Sequence, residues 1–208
     1  EVSVLSLHDG ERPFFLYLAP NAPHGPYRVP EEWAAPYKGN KGAPNSNFYG
    51  MIANIDHNMG LLRGHLKALG LAENTILIFM TDNGTSAGAK FQGLDSEALA
   101  GYNAGMRGGK VTLWEGGHRV PFIARWPGIT PTGAVCDHLT TLGDLLATCA
   151  QLLGVSLQPG EGEDSVSILP ILEGKARFVG IATHSLEHEA LRAAADSGVY
   201  DVAMVAYN

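Results

Sequence analysis

Asn74-Thr75-Ile76-Leu77-Ile78-Phe79-Met80-Thr81-Asp82-Asn83-Gly84 carries an apolar run that ends at a carboxylate, an amide and a glycine. A run from Ile76 to Met80 suits a strand covered on both faces, as in a parallel sheet between layers of helices. Upstream of it, Phe48, Met51, Ile52, Ile55, Met59, Leu62, Leu66 and Leu69 recur at steps of three and four. That spacing predicts a long helix, with Ser46 as its N-cap and Gly70 at its C-terminal stop. A helix followed by a parallel strand is half of a crossover unit, so the class is α/β. Phe14-Phe15-Leu16-Tyr17-Leu18-Ala19 predicts another buried strand, broken by Pro20-Asn21-Ala22-Pro23-His24-Gly25-Pro26. Ligands of open α/β sheets gather beyond the carboxyl ends of the strands, and both His24 and Asp82 follow such ends.

Working towards the C-terminus, 85–109 is rich in Gly, Ala and Ser and reads as a long loop, a length that usually carries function or disorder. Val120 to Trp126 reads as a third strand and Thr141 to Leu153 as a helix closed by Gly154. Ile168 to Leu172 is a short apolar segment. The remainder changes character: Phe178 to His184 predicts a strand, Leu186 to Ala195 a helix and Val199 to Tyr207 a strand, together one βαβ unit.

The bulk properties narrow the partners. In 208 residues, 45% are hydrophobic and 17% charged, as in an ordinary globular chain, and the formal net charge is -7. No Lys/Arg-rich run is present, which argues against nucleic acid and anionic membrane as partners. No apolar stretch reaches the roughly 20 residues that span a bilayer. The start at Glu1 reads as an internal cut, with any export signal upstream. Two cysteines, Cys136 and Cys149, are too few for a disulfide framework or a metal ribbon and read as free or buried thiols.

The chemistry concentrates in a few positions. Asp82 and Asn83 offer two hard oxygen donors side by side; Ca²⁺ takes six to eight and Mg²⁺ six, so the pair is either an ordinary turn or a share of a larger site. His24 is either a locally bonded surface histidine or a proton donor to an oxyanion or leaving-group oxygen. Lys110, delivered by Gly108-Gly109, is either a solvated loop lysine or an ammonium for a sulfate or phosphate oxygen. Glu115 and Arg119 are expected to hold their own turn by an ion pair. Asp56 is expected to be structural, and His57, His65, His118 and His138 show no metal-ligand spacing.

Taken in order, these pieces resemble the sulfatase family, of the alkaline-phosphatase-like α/β fold. The matching stretches are Pro13 to Tyr17 with Pro23-His24-Gly25-Pro26, then Ile55-Asp56-His57-Asn58-Met59-Gly60, then Asn74-Thr75 through Thr81-Asp82-Asn83-Gly84. Gly108-Gly109-Lys110, Trp114-Glu115-Gly116-Gly117, Arg119-Val120-Pro121 and Trp126-Pro127-Gly128 complete the series. The resemblance implies a partial alkaline-phosphatase-like sandwich with a mainly parallel central sheet over 1–175. It implies a sulfuric ester hydrolase acting on a carbohydrate or aryl sulfate ester. Asp82 and Asn83 would be ligands of a divalent cation, foremost Ca²⁺; Lys110 would bind the sulfate and His24 would stand at its leaving-group side. By the same analogy the protein is periplasmic or secreted.

One departure is sharp. The family's nucleophile is a formylglycine made from Cys or Ser in a Cys/Ser-x-Pro-x-Arg motif, and no such motif occurs here. The paired aspartates that complete the family's metal site are also absent. Both are expected in an upstream segment, so the chain alone is expected to be inactive and to need that N-terminal half. Two other readings stay open: a phosphodiesterase or phosphonate hydrolase of the same superfamily, and a non-catalytic metal- or anion-binding remnant.

The last thirty or so residues, 176–208, are similar to one βαβ unit of an aldo-keto reductase barrel, with Thr183-His184 where many members place a nicotinamide-touching pair. One such unit cannot close an eight-stranded barrel, so no reductase activity is expected from it. A junction near Gly174 to Ala176 follows from this resemblance.

Overall fold

The computed structural model describes residues 12–86 and 105–175, together with the backbone of 180–183 and 202–205. Its contacts divide the chain into two compact units, Glu1–Ile123 and Ala124–Asn208.

In the first unit, α1 (Glu31–Ala34) and a 3₁₀ turn (Ala35–Tyr37) lead to the long helix α2 (Ser46–Ala68). The helix begins where a cap is available. The Asn45 side chain accepts from the Phe48 N–H at 3.2 Å, so the cap is Asn45 and not the expected Ser46. Its C-cap is Leu69, one residue before the expected Gly70, which follows at φ 71°, a left-handed conformation that costs glycine little. Phe48, Gly50, Met51, Leu62 and Leu66 form its buried face, whereas Ile52 and Leu69 are exposed despite fitting the apolar period. Gly50 allows close approach, because a Cβ there would lie 2.9 Å from the Trp33 backbone and from Val29 Cγ1. Aromatic rings line the same region, with Tyr27 edge-on to Phe48 at 5.6 Å and Trp33 against His57 at 5.1 Å.

Leu62 and Leu66 are the centre of a core to which Phe14, Leu16, Met59, Leu71, Ala72 and Leu77 add. Phe14 and Leu16 therefore reach the core, but Phe14 to Ala19 does not form the expected strand; it runs without regular secondary structure. Phe15 is 84% exposed and Tyr17 70%. A strand is defined by its ladder, and among the described residues this run is not assigned to one. Strand β1 (Leu77–Met80) follows another 3₁₀ turn, Ala72–Asn74. It is half-buried along its whole length and not buried on both faces as expected, since among the described residues its sheet contains β1 and β2 (Phe122–Arg125) alone. A one-turn helix, α3 (Glu115–His118), precedes β2.

In the second unit, α4 (Asp144–Leu153) starts three residues later than the Thr141 expected from its apolar period, and Gly154 closes it at φ 67°. The late start has a polar cause. Asp144, 6% exposed, turns its carboxylate back onto the approaching chain. One oxygen accepts from the Thr141 N–H at 2.6 Å and from Thr140 Oγ1 at 3.1 Å, and the other accepts from the Val166 N–H at 2.9 Å. Thr148 Oγ1 donates to the Asp144 carbonyl at 2.6 Å and accepts from the Ile168 N–H at 3.0 Å. This network ties α4 to the segment entering α5 (Leu169–Leu172).

Strands β3 (Gly180–Thr183) and β4 (Val202–Val205) pair in parallel, Gly180 opposite Val202 through Thr183 opposite Val205. Parallel pairing is the geometry a βαβ unit requires. The expected intervening helix, Leu186 to Ala195, lies outside the described residues, as do His184 and most of the 85–109 loop. Both cysteines are free, Cys136 exposed and Cys149 half-buried. No helix among the described residues is long and apolar enough to cross a membrane.

Candidate functional site

Three loops carry the four residues singled out by the sequence, and the three-residue stretch Gly84-Thr85-Ser86 ties them together. The Gly84 N–H donates to the Gly117 carbonyl at 2.9 Å. The Lys110 N–H donates to the Thr85 carbonyl at 2.8 Å. Ser86 Oγ and the Tyr27 hydroxyl share a hydrogen bond of 2.6 Å, and Tyr27 follows the His24 loop by one proline. The Tyr27 carbonyl in turn accepts from Asn47 Nδ2 at 3.1 Å, which anchors that loop to the start of α2. The end of β1, the lysine turn and the histidine loop are thus fastened at adjacent residues.

Glycine makes the closest of these contacts possible. A Cβ on Gly84 would fall 1.8 Å from the Gly116 carbonyl oxygen, and one on Gly117 would fall 2.3 Å from the Thr112 carbonyl oxygen. Neither position admits a side chain without moving backbone. The lysine turn is also braced internally. Thr112 Oγ1 donates to the Gly109 carbonyl at 2.7 Å, and the Gly116 N–H donates to the Arg107 carbonyl at 2.8 Å. Val111 sits at φ 65°, a conformation unusual for a β-branched residue, and its side chain is almost wholly in solvent. The expected ion pair is present, with Arg119 Nη1 2.9 Å from Glu115 Oε2.

His24 is exposed. Its backbone N–H donates to the Asn21 carbonyl at 2.9 Å, and its Nδ1 lies 2.8 Å from the Gly25 carbonyl. A carbonyl only accepts, so Nδ1 is the donor in this bond and Nε2 is the ring nitrogen it leaves unused. Asp82 is exposed, and its carboxylate has no hydrogen-bond or ion-pair partner among the described residues. Asn83 donates through Nδ2 to the Gly84 carbonyl at 3.0 Å, which fixes the amide and leaves Oδ1 as an acceptor. These are hard oxygen donors of the type that suits Ca²⁺ or Mg²⁺, and as two donors they fit such an ion. They do not complete its shell: no group of three or more His, Cys, Asp or Glu placed to hold a metal occurs among the described residues. Lys110 is half-buried, and no acid among the described residues pairs with its ammonium.

Sequence reasoning did not single out the Tyr27–Ser86 bond, the approach of Gly84 to Gly116, or Arg107, whose guanidinium carbon lies 3.6 Å from the centre of the Trp114 ring. The repeated glycines of Gly108-Gly109 and Gly116-Gly117 were the available signal. They advertise close backbone approach without naming the partner.

A family model described as Sulfatase matches residues 2–155. The chain is 33% identical over 164 residues to the N-acetylgalactosamine-6-sulfatase of Canis lupus familiaris, covering 79% of this chain and 29% of that protein. It is 32% identical over 182 residues to the steryl-sulfatase of Rattus norvegicus, covering 87% of this chain and 29% of that protein. Among solved structures, that of Ps i-CgsB in complex with k-i-k-neocarrahexaose superposes with a TM-score of 0.69 at 31% identity, over 80% of this chain and 35% of that one. The chain therefore spans less than a third of the length of these two curated relatives.

Proposed function

The chain belongs to the sulfatase family, and from that premise we propose that it forms the sulfate-binding part of a sulfuric ester hydrolase with a carbohydrate or aryl sulfate as substrate. The observation that carries the reading is the fastening of three loops at Gly84-Thr85-Ser86, which holds His24, Asp82, Asn83 and Lys110 on one braced framework.

Lys110 neutralises a sulfate oxygen. Its backbone is held on Thr85, so only the side chain must be ordered when the anion arrives. His24 acts through Nε2, the ring nitrogen not engaged with the Gly25 carbonyl, which in the imidazolium form donates a proton to the departing oxygen of the ester. Asp82 and Asn83 Oδ1 would contribute two oxygens to a divalent cation, foremost Ca²⁺. When bound, that ion supplies positive charge to the sulfate oxygens as negative charge builds on them. The 208 residues contain no Cys/Ser-x-Pro-x-Arg motif, so the formylglycine nucleophile of this chemistry belongs to further chain. The chain alone is accordingly assigned binding and not turnover.

The test is calorimetric titration of inorganic sulfate into the chain with calcium present. Lys110→Ala is expected to weaken sulfate binding about tenfold, the scale of one hydrogen bond to a charged group, with Lys110→Arg restoring part of it. Equal affinity in the wild type and Lys110→Ala would remove the sulfate role from this lysine.

A further inference from the structure

The lysine turn carries more positive charge than the sulfate contact alone requires. Among its described residues, Glu115 is taken up by Arg119. Arg107 and Lys110 are left as two cations three positions apart, with no acid paired to either among the described residues. They stand out in a chain whose formal net charge is -7.

Arg107 is held in a particular way. Its carbonyl accepts from the Gly116 N–H at 2.8 Å, and its guanidinium carbon sits 3.6 Å from the centre of the Trp114 ring. Between the two, Gly108 takes φ 79°, and a Cβ there would meet Thr112 Oγ1 at 2.4 Å and Trp114 Cβ at 2.8 Å, so the backbone route from Arg107 to Trp114 is tight. Contact over an aromatic face occupies the π surface of a guanidinium and leaves its in-plane N–H groups able to donate as a fork. A fork of that kind matches the paired oxygens of a sulfate or carboxylate. Arg107 is exposed and Trp114 is 49% exposed, so the arrangement faces solvent and is not packed away as a structural stack.

We infer that Arg107, carried on Trp114, is a specificity-determining residue that takes a second oxyanion of the substrate next to the sulfate bound by Lys110, so that saccharides bearing two anionic groups are preferred over singly sulfated ones. This rests on the sulfate role of Lys110 proposed above.

The experiment compares binding of a monosulfated and a disulfated N-acetylgalactosamine by calorimetry, in the full chain with calcium present. The wild type is expected to bind the disulfated sugar about three- to fivefold more tightly, the scale of one solvent-exposed ion pair. Arg107→Gln is expected to abolish that preference while leaving monosulfate affinity and thermal stability unchanged, and Arg107→Lys to restore part of it. Lys110→Ala is expected to weaken both ligands. A preference that survives in Arg107→Gln overturns the inference and leaves the Lys110 reading standing. Loss of monosulfate affinity together with stability in Arg107→Gln also overturns it, by making Arg107 structural. Affinities for both sugars that Lys110→Ala does not change overturn the underlying reading, and the inference with it.

Discussion

Replacing Gly84 by alanine is expected to lower the stability of the first unit by on the order of 3 kcal/mol and to abolish sulfate binding, although only one methyl group is added. The added carbon would stand 1.8 Å from the Gly116 carbonyl oxygen. Against a flexible side chain such an overlap would be relieved by rotation. Here the obstacle is backbone, held by the Gly84 to Gly117 hydrogen bond and by the Gly117 N–H on the Trp114 carbonyl at 2.7 Å. Alanine gains about 0.4–1 kcal/mol by restricting the unfolded chain, which is too little to offset the clash. Relief requires the lysine turn to separate from the end of β1, and with it Lys110 from Asp82 and Asn83. Thermal unfolding and sulfate calorimetry on the same variant measure both effects. A Gly84→Ala protein with wild-type melting temperature and sulfate affinity would show that the two loops do not meet as described.

The second large effect lies away from the site. Asp144→Ala is expected to destabilise the second unit by about 3 kcal/mol, because the N–H groups of Thr141 and Val166 both lose the charged acceptor that the buried Asp144 carboxylate gives them. Asp144→Asn keeps the shape but turns an NH₂ group towards one of those donors, so it is expected to recover only part of the loss. Urea unfolding measures it. A loss under about 1 kcal/mol in the alanine variant would mean that the network is solvated or redundant.

What was legible in the sequence was legible for local reasons. The period of α2, the apolar runs of β1 and β2, the stops at Gly70 and Gly154 and the Glu115–Arg119 pair each depend on residues within a turn or two of one another. The misreadings share the opposite property. Phe14 to Ala19 has the composition of a buried strand, but composition does not reveal whether a neighbouring strand pairs with it. Asn45 and Ser46 are both good caps, and only the geometry of the first turn chooses between them. Nothing local marks Asp144 as buried, because one of its partners, Val166, lies 22 residues away. Gly84 looked like the glycine of an Asp-Asn-Gly turn, whereas its tightest constraint is the remote carbonyl of Gly116. The four candidate site residues stand out by local chemistry: a histidine and an Asp-Asn pair just past apolar runs, and a lysine after two glycines. Their loops are fastened through Tyr27, Thr85 and Ser86, which belong to no motif that was read.

The central claim is that loops bearing His24, Asp82, Asn83 and Lys110 act as one sulfate site, and backbone amide NMR during a sulfate titration tests it most directly. The amides of His24, Asn83 and Lys110 are expected to shift together along a single binding curve with one Kd. Shifts confined to one loop, or loops that follow separate curves, would contradict it.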